Sequence, residues 1–567
     1  MLNYQMRTPQ ADSFNPDAPL SEYPRPYLVR DSYINLNGVW ECEISRKKEC
    51  PKSFSKKIVV PYPIESCLSG LRLDLKKNDI LIYRRKFSLD SNFIKDKVIL
   101  NFGAVNQICE IHINGSFIFH HKGGYNPFSV DITQFLIDGE NELIVFVKNA
   151  PNLDYWVGKA GRRRGGMWYT KTTGIWQTVW LESYSNDAIE NVLFTADINS
   201  GLVQTKIKSE GTSFNVKVSI KGEKVLELNN VGKEFEFKVN DHMLWDLENP
   251  NLYDVEISNK NDSIKTYFAF REFKISDRKF TLNGKPIFVN GLLDQGYFSD
   301  GIYTPASYES YKYDIMKMKE LGFNALRKHI KVEPQMFYYY ADKFGMLVLQ
   351  DFPNSGKYSF LRDTALPTIG FSKIPDHKKN VSKNRKQHFI ESGVEMLNNL
   401  YPHPSVVYYT IFNEGWGQFH SDEMYRFFKE KDPSRVYDST SGWFQQNESD
   451  CNSIHVYFRK VTLPLEDSRP IMLSEFGGYS WKVKDHSFNS TNNYGYKLFG
   501  SKEDLTEALV TLYNRDVIDL IPQGLAGCVY TQVSDVEDET NGILTYDRQM
   551  VKVDEDTIKE LMKKVKY

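Results

Sequence analysis

Two glutamates attract attention because each closes an apolar run. Glu414 follows Val406-Val407-Tyr408-Tyr409-Thr410-Ile411-Phe412-Asn413, and Glu475 follows Ile471-Met472-Leu473-Ser474. Short apolar runs of this kind read as buried strands, so each carboxylate is expected at the rim of a sheet. Two facing carboxylates can divide the work of breaking a glycosidic bond with retention: one protonates the leaving oxygen while the other attacks the anomeric carbon. Trp416, Trp443 and Trp481 follow these strands or their neighbours, and their rings offer faces for sugars. Asp294, Asp351 and Asp438 are the other carboxylates expected at strand ends. The bare pattern leaves an ordinary ion-pair role open for any of them.

What must hold these groups is a repeating α/β unit. From Asp277 onward eight apolar strand candidates succeed one another: Pro286 to Val289, Asn324 to Arg327, Met346 to Leu349, Val406 to Phe412, Arg435 to Tyr437, Ser453 to Val456, Ile471 to Leu473 and Gly527 to Tyr530. Helical faces lie between most of them. Tyr308, Tyr311, Ile315, Met318 and Leu321 form one, closed by Gly322; Met336, Phe337, Tyr340, Ala341 and Phe344 form the next, closed by Gly345. The span, about 290 residues, suits a (β/α)8 TIM barrel with insertions. A doubly wound open sheet is disfavoured, because no glycine-rich phosphate turn follows any strand. Strand counting places Glu414 on strand four and Glu475 on strand seven, across the barrel mouth from each other.

The first half of the chain has a different texture. Ile108 to Ile113 alternates its apolar residues before Asn114-Gly115, a hairpin signal. Asn141 to Val147 and Thr178 to Leu181 read in the same way. Residues 31–184 therefore read as a jelly-roll β-sandwich after a 1–30 N-terminal extension. Residues 185–276, where Phe214, Val216, Val218 and Ile220 alternate with polar residues, read as a smaller immunoglobulin-like sandwich. The catalytic barrel is assigned to 277–567. The fold class is thus multidomain β plus α/β.

Composition narrows the function classes. Lys and Arg total 71 against 73 Asp and Glu, a net charge of −2, which argues against a dedicated nucleic-acid binder. No apolar stretch is long enough to span a membrane. The N-terminus lacks the apolar core of a secretory signal, so a cytoplasmic location is the expectation. The 6 cysteines have no metal-ligand spacing. A carbohydrate substrate is the expected partner, without nucleic acid or membrane, and a homo-oligomer is compatible with the sequence.

Local motifs sharpen this reading. Asn413-Glu414, Ser474-Glu475-Phe476-Gly477, the segment Thr173 to Glu182, Leu244-Trp245 with Asn249 to Tyr253, and Asn283 to Ile287 together resemble glycoside hydrolase family 2, the family of β-galactosidases, β-glucuronidases and β-mannosidases. The resemblance runs from about residue 30 to 567 in the family's domain order. It implies Glu414 as acid/base, Glu475 as nucleophile, Asn413 on the sugar 2-hydroxyl, and Tyr457 and Arg327 as partners of Glu475. Independently of the family, an anionic Glu475 requires a cation and a hydroxyl donor, and an acid at 414 must hold a proton. His329 and His455 read either as satisfied buried histidines or as sugar contacts. Trp443 reads as a sugar platform, and Trp481 as a platform or as loop core.

The motifs also depart from the family. The first barrel loop, Leu293-Asp294-Gln295-Gly296-Tyr297, lacks the usual Arg-His-Glu run, which makes Asp294 and Gln295 the local readers of sugar hydroxyls. The third loop, Asp351-Phe352-Pro353-Asn354, lacks the residues that hold magnesium in metal-dependent relatives, so neither a metal nor another cofactor is expected. No Asn-x-Lys carboxylate reader follows strand eight. A terminal β-linked hexose, β-galactoside first, is therefore the expected substrate of an exo-acting enzyme. β-Glucuronide is the alternative, with Lys331 or Arg162 to Arg164 as its cation; a transglycosylase or an inactive carbohydrate binder comes after these. The Gly161 to Thr173 loop, with Trp168, is expected to reach the site from the jelly roll.

Overall fold

The computed structural model describes the chain except residues 1–5, 149–151, 161–163, 369–370, 372–373, 465 and 490. Its third unit is a parallel eight-stranded sheet rolled into a barrel. The strands, numbered here within the barrel, are β1 (Val289–Asp294), β2 (Ala325–Lys328), β3 (Leu347–Asp351), β4 (Val406–Asn413), β5 (Val436–Ser441), β6 (Asn452–Val456), β7 (Ile471–Gly477) and β8 (Leu525–Thr531). Hydrogen-bonded ladders run β5-β4-β3-β2-β1-β8-β7-β6. At the remaining seam, Ser453 Oγ on β6 donates to the Thr440 carbonyl on β5 at 3.2 Å. Every residue of β1, β2, β3, β4, β5, β7 and β8 is buried, as expected for strands covered on both faces.

Helices α1 (Glu309–Glu320), α2 (Gln335–Phe344), α3 (Lys383–Leu400), α4 (Ser421–Lys431), α5 (Lys502–Asp516) and α6 (Glu555–Met562) follow β1, β2, β3, β4, β7 and β8. Tyr311, Ile315 and Met318 are the buried stripe of α1, as the 3-4 spacing predicts. Gly345 ends α2 at φ 68°. A Cβ there would come within 2.5 Å of the Leu247 carbonyl oxygen, so only glycine fits both the left-handed backbone and the close approach. Among the described residues no helix separates β5, β6 and β7, so three successive strand ends lie close together at the mouth.

Two strand boundaries differ from the sequence reading. Lys285–Ile287 belongs to an antiparallel meander with Phe273–Ser276 and Lys279–Leu282; Asn283 and Gly284, at φ 52° and 76°, form the tight turn that joins its second hairpin. The barrel therefore begins at Val289, and the apolar run Pro286 to Val289 is divided between two sheets. Strand β7 continues past Glu475 rather than ending before it.

The first unit packs a four-stranded antiparallel sheet, containing Lys97–Phe102 and Val179–Tyr184, on a six-stranded one containing Ile80–Ser88 and Glu140–Lys148. Asn114-Gly115 turns the predicted hairpin, with Ile113 opposite Ser116. The second unit is a smaller sandwich of five and three strands. Its five-stranded sheet takes Val29–Arg30 as an edge strand paired to Ser263–Phe268, so part of the 1–30 segment is built into this unit. Trp245, fully buried, joins the cluster that fills the barrel interior, and its indole N–H donates to the Asp342 carbonyl at 2.7 Å.

Glu182 ties the first two units together. It accepts from Tyr23 Oη at 2.6 Å, Arg25 Nη2 at 2.9 Å, Arg30 Nη1 at 3.1 Å and Trp180 Nε1 at 2.8 Å. Arg30 also forks onto Asp262 of the smaller sandwich at 3.0 and 2.9 Å. Removing one member of a buried charge network strands the others. Glu182→Ala should therefore destabilise the protein by about 3–5 kcal/mol, read as a lower midpoint of the first transition in urea. A shift no larger than that of an exposed control, Glu223→Ala, would contradict this account.

Candidate active site

The C-terminal rim of the barrel is organised by one buried guanidinium. Arg327, at the end of β2, donates through Nε to Asp351 Oδ1 at 2.9 Å and through Nη2 to Asn413 Oδ1 at 2.9 Å. Its Nη1 reaches the Ser474 carbonyl at 2.9 Å and Glu475 Oε1 at 3.1 Å. Strands β3, β4 and β7 are thus read by a single side chain that is 1% exposed. The contact to Asn413 turns the amide oxygen toward the guanidinium and leaves the amide NH2 to a ligand.

Glu475 is saturated with donors. Tyr457 Oη donates to its Oε2 at 2.5 Å, and His455 Nδ1 lies 3.6 Å from the same oxygen. Burial opposes its charge, but the positive fields of His455, Arg327 and His329 and the Tyr457 hydrogen bond outweigh burial and bring the carboxyl down to about 2. Backbone irregularity helps to aim these groups. The β6–β7 pairing shifts between Ile454 and His455, and the β7–β8 pairing shifts between Leu473 and Phe476. Such bulges re-aim side chains at barrel rims.

Glu414 follows β4 with its backbone at φ 53°, a conformation uncommon outside glycine. Its amide donates to the Ser441 carbonyl at 3.0 Å. The next residue, Gly415, lies so close to the Phe444 ring that a Cβ would sit 2.1 Å from it. The turn holds the Glu414 side chain 22% exposed, facing His455 Nδ1 at 2.9 Å. Carboxylate oxygens of Glu414 and Glu475 and a ring nitrogen of His455 all lie within 4.8 Å of one another. This triplet has the donor types of a divalent-metal site, although Arg327 and Tyr457 already engage both oxygens of Glu475.

The other residues expected at the site divide into two groups. Trp443 lies at the mouth: its indole N–H donates to the Glu414 carbonyl at 3.1 Å, and its ring meets the His455 ring at 5.4 Å. His329 Nδ1 contacts Asp351 Oδ2 at 2.9 Å and lies 4.0 Å from Glu475 Oε1. Trp168 packs edge-on against Trp416 and Tyr358, both at 4.9 Å, which brings the sandwich loop beside the turn carrying Glu414. Arg162 and Arg163 lie outside the described residues. Arg164 Nη1 is 3.6 Å from Asp538 and 3.8 Å from Glu537.

Asp294, Lys331 and Trp481 are engaged within the protein. Asp294 accepts from Lys328 Nζ at 2.6 Å and from the Gly296 amide at 2.9 Å, so its charge is balanced locally. Lys331 donates to Glu333 at 2.9 Å, to the Tyr303 carbonyl at 3.0 Å and to the Gly296 carbonyl. Burial, against the attraction of Glu333, pushes it down to about 8. The Trp481 amide donates to the Thr540 carbonyl at 3.2 Å and its ring packs on the core. Gln295 is buried with neither amide atom partnered among the described residues, which leaves it to water or a ligand.

Sequence reasoning missed three contributors. Tyr496 stacks on Tyr457 at 3.8 Å and 11°. Tyr358 completes the aromatic cluster around Trp168 and Trp416. Lys159 approaches from the jelly roll. The Val157 amide beside it donates to the Asn354 carbonyl at 2.8 Å, and its ammonium lies 5.7 Å from the Tyr169 ring centre. Burial pushes the His329 imidazole down; Asp351 opposes this, and the charge of Lys159 adds to it. All three stand in loops without periodicity, so no sequence signal marked them.

The family profile "Glycosyl hydrolases family 2, sugar binding domain" matches residues 36–184, "Glycosyl hydrolases family 2" matches 175–271, and "Glycosyl hydrolases family 2, TIM barrel domain" matches 273–477. The chain belongs to glycoside hydrolase family 2. Among family members, a β-galactosidase of Priestia megaterium is 23% identical over 476 residues, covering 74% of this chain and 45% of the relative. The chain thus spans about half the length of such curated relatives. Solved structures of an uncultured Clostridium sp. β-glucuronidase (TM-score 0.75, 20% identity, 94% of this chain and 98% of that one) and a Ruminococcus gnavus β-glucuronidase (0.74, 19%, 95% and 100%) share the fold.

The Tyr457 contact has a measurable pH signature. A carboxyl held below its unfolded value contributes stability that is complete above that value, about 4.3 for Glu, and fades as pH falls toward the folded value of about 2. Tyr457→Phe removes one support of the ionised form. It should lower stability at pH 7 by about 1.5–3 kcal/mol, with a smaller penalty as pH falls below about 4.3. Thermal midpoints measured across pH test this; a penalty independent of pH would assign Tyr457 to packing alone.

Proposed function

We propose that the protein is a retaining exo-β-glycosidase, with Glu475 as nucleophile and Glu414 as acid/base. The observation that carries this reading is the approach of their carboxylate oxygens to within 4.8 Å. That spacing suits direct attack, whereas inverting enzymes need about 6.5–9.5 Å to admit a water. In the first step Glu475 attacks the anomeric carbon while Glu414 protonates the leaving oxygen. In the second, Glu414 takes a proton from water as the water displaces Glu475 and releases the sugar with its original β configuration. Asn413, its oxygen held by Arg327, offers its NH2 to the sugar 2-hydroxyl. The sandwich loop at Val157 supports exo action, because it is hydrogen-bonded to Asn354 just beyond β3 and so stands against one side of the mouth.

Two sugars deserve comparison. A neutral β-galactoside is ranked first by the sequence, and the name of the Priestia relative agrees with it. An acidic sugar such as β-glucuronide is favoured by Lys159, for which no carboxylate partner is found among the described residues. The charge of Asp294, which by itself would repel a sugar carboxylate, is balanced by Lys328.

Proton NMR of the first-formed product from a 4-nitrophenyl β-glycoside should show the β-anomer; an α-anomer would sink the retaining mechanism. Glu475→Ala should stop turnover of every substrate. Glu414→Gln should spare substrates with activated leaving groups, which need no proton. In a panel with 4-nitrophenyl β-galactoside and β-glucuronide, a preference for the galactoside supports the first sugar. If the glucuronide is preferred, Lys159→Met should lower kcat/KM for it about 10- to 100-fold, the range of a lost charged hydrogen bond. An equal loss on both sugars would make Lys159 structural.

A further inference from the structure

The geometry points to His455 and Glu414 holding the catalytic proton jointly, with Ser441 and Ser474 fixing the imidazole that shares it. This rests on the reading of Glu414 as acid/base.

The direction of a short hydrogen-bond chain carries the inference. Ser474 Oγ donates to the Ile454 carbonyl at 3.4 Å, and Ser441 Oγ donates to Ser474 Oγ at 2.9 Å. Each hydroxyl has one proton, so Ser441 has none left for the imidazole. The 3.0 Å contact between Ser441 Oγ and His455 Nε2 must therefore be made by an Nε2–H. With that nitrogen protonated, the 2.9 Å contact between His455 Nδ1 and Glu414 Oε1 holds exactly one more proton, either on the carboxyl or on the ring. The pair keeps a single proton between two atoms.

The surroundings keep the proton there. Facing His455 are Glu414 from β4, Glu475 from β7 at 3.6 Å and, at longer range, Asp438 of β5, whose carboxyl burial pushes up and the field of His455 draws down. The His455 side chain is wholly buried, and the Trp443 ring covers it edge-on. A Cβ at Gly442 would come within 2.8 Å of the ring, so the backbone of the β5–β6 connection also grips it. When the leaving oxygen takes the shared proton, Nδ1 and the Glu414 carboxylate are left facing each other at 2.9 Å with none between them, so the pair is poised to take a proton back from the water that releases the sugar. His455 is a positioning residue in this account, since it meets Glu414 rather than substrate.

The test uses the pH profile. His455→Gln should move the alkaline limb of kcat/KM for a 4-nitrophenyl glycoside to lower pH by about one unit, while 2,4-dinitrophenyl glycosides, which need little protonation, lose much less rate. Ser441→Ala, which frees the imidazole to choose its tautomer, should move the limb in the same direction by less. A pH-independent loss, equal for both leaving groups, would make His455 structural and overturn the proposal. Nitrogen-15 spectra of histidine-labelled protein give a readout without turnover: the His455 signals, assigned by their loss in His455→Gln, should show a protonated Nε2 and a Nδ1 whose titration shifts in Glu414→Gln. An unchanged titration would overturn the shared proton. If no glycoside is hydrolysed but the spectra behave as expected, the hydrolase reading fails and the shared proton stands.

Discussion

The Arg327 guanidinium is the constraint around which the site is arranged. A buried cation of this kind is costly unless every donor meets an acceptor, and here the acceptors come from β3, β4 and β7. The requirement fixes the register of three strand ends against β2. It also leaves Glu475 ionised, because the guanidinium is one of the fields that overcome its burial. The same charge that holds the barrel mouth together therefore also keeps Glu475 ionised, as its proposed role requires, and the two effects cannot be separated by a single substitution at 327.

The two glutamates show how one rim creates opposite environments. Glu475 is 5% exposed and surrounded by a cation, a phenol and two imidazoles; Glu414 is 22% exposed and meets one imidazole nitrogen. Donors to the charged form depress a carboxyl's pKa, and this is the situation of Glu475. Such a difference in surroundings is what the proposed division of roles between the two glutamates rests on. The absence of helices between β5, β6 and β7 among the described residues lets His455, Tyr457 and Trp443 crowd around the pair.

The sandwiches do more than precede the barrel. Trp245 joins the apolar cluster that fills its interior, and the jelly-roll loops carrying Val157, Lys159 and Trp168 stand beside its mouth. Tyr169 of the same loop donates to Glu539 after β8, and the Thr170 amide donates to Glu537 at 2.9 Å. Burial pushes Glu537 up to about 7, against the Thr170 hydrogen bonds and Arg164. Acidic residues of the last barrel loop thereby serve as the dock for the first domain. That gives them a role in building the mouth, distinct from reading a sugar.

The sequence alone determined the alternation of strands and helices, the tight turn at Asn114-Gly115, and the two carboxylates that end apolar runs. Those features are local: periodicity, turn chemistry and strand burial act over a few residues, and so they are written in contiguous sequence. Tertiary structure decided the partners. Asp294 and Lys331 sit in loops as polar as any sugar-reading loop, and only their approach to Lys328 and Glu333 shows that their charges are spent inside the protein. Lys159, Tyr358 and Tyr496 reach the mouth from segments distant in sequence, with no periodic pattern to mark them. The division of His455 between Ser441 and Glu414 likewise depends on three strand ends meeting at one point. Electrostatic balance is a property of the assembled rim, because a buried charge is priced by every group around it, whereas strand and turn formation is governed by near neighbours along the chain.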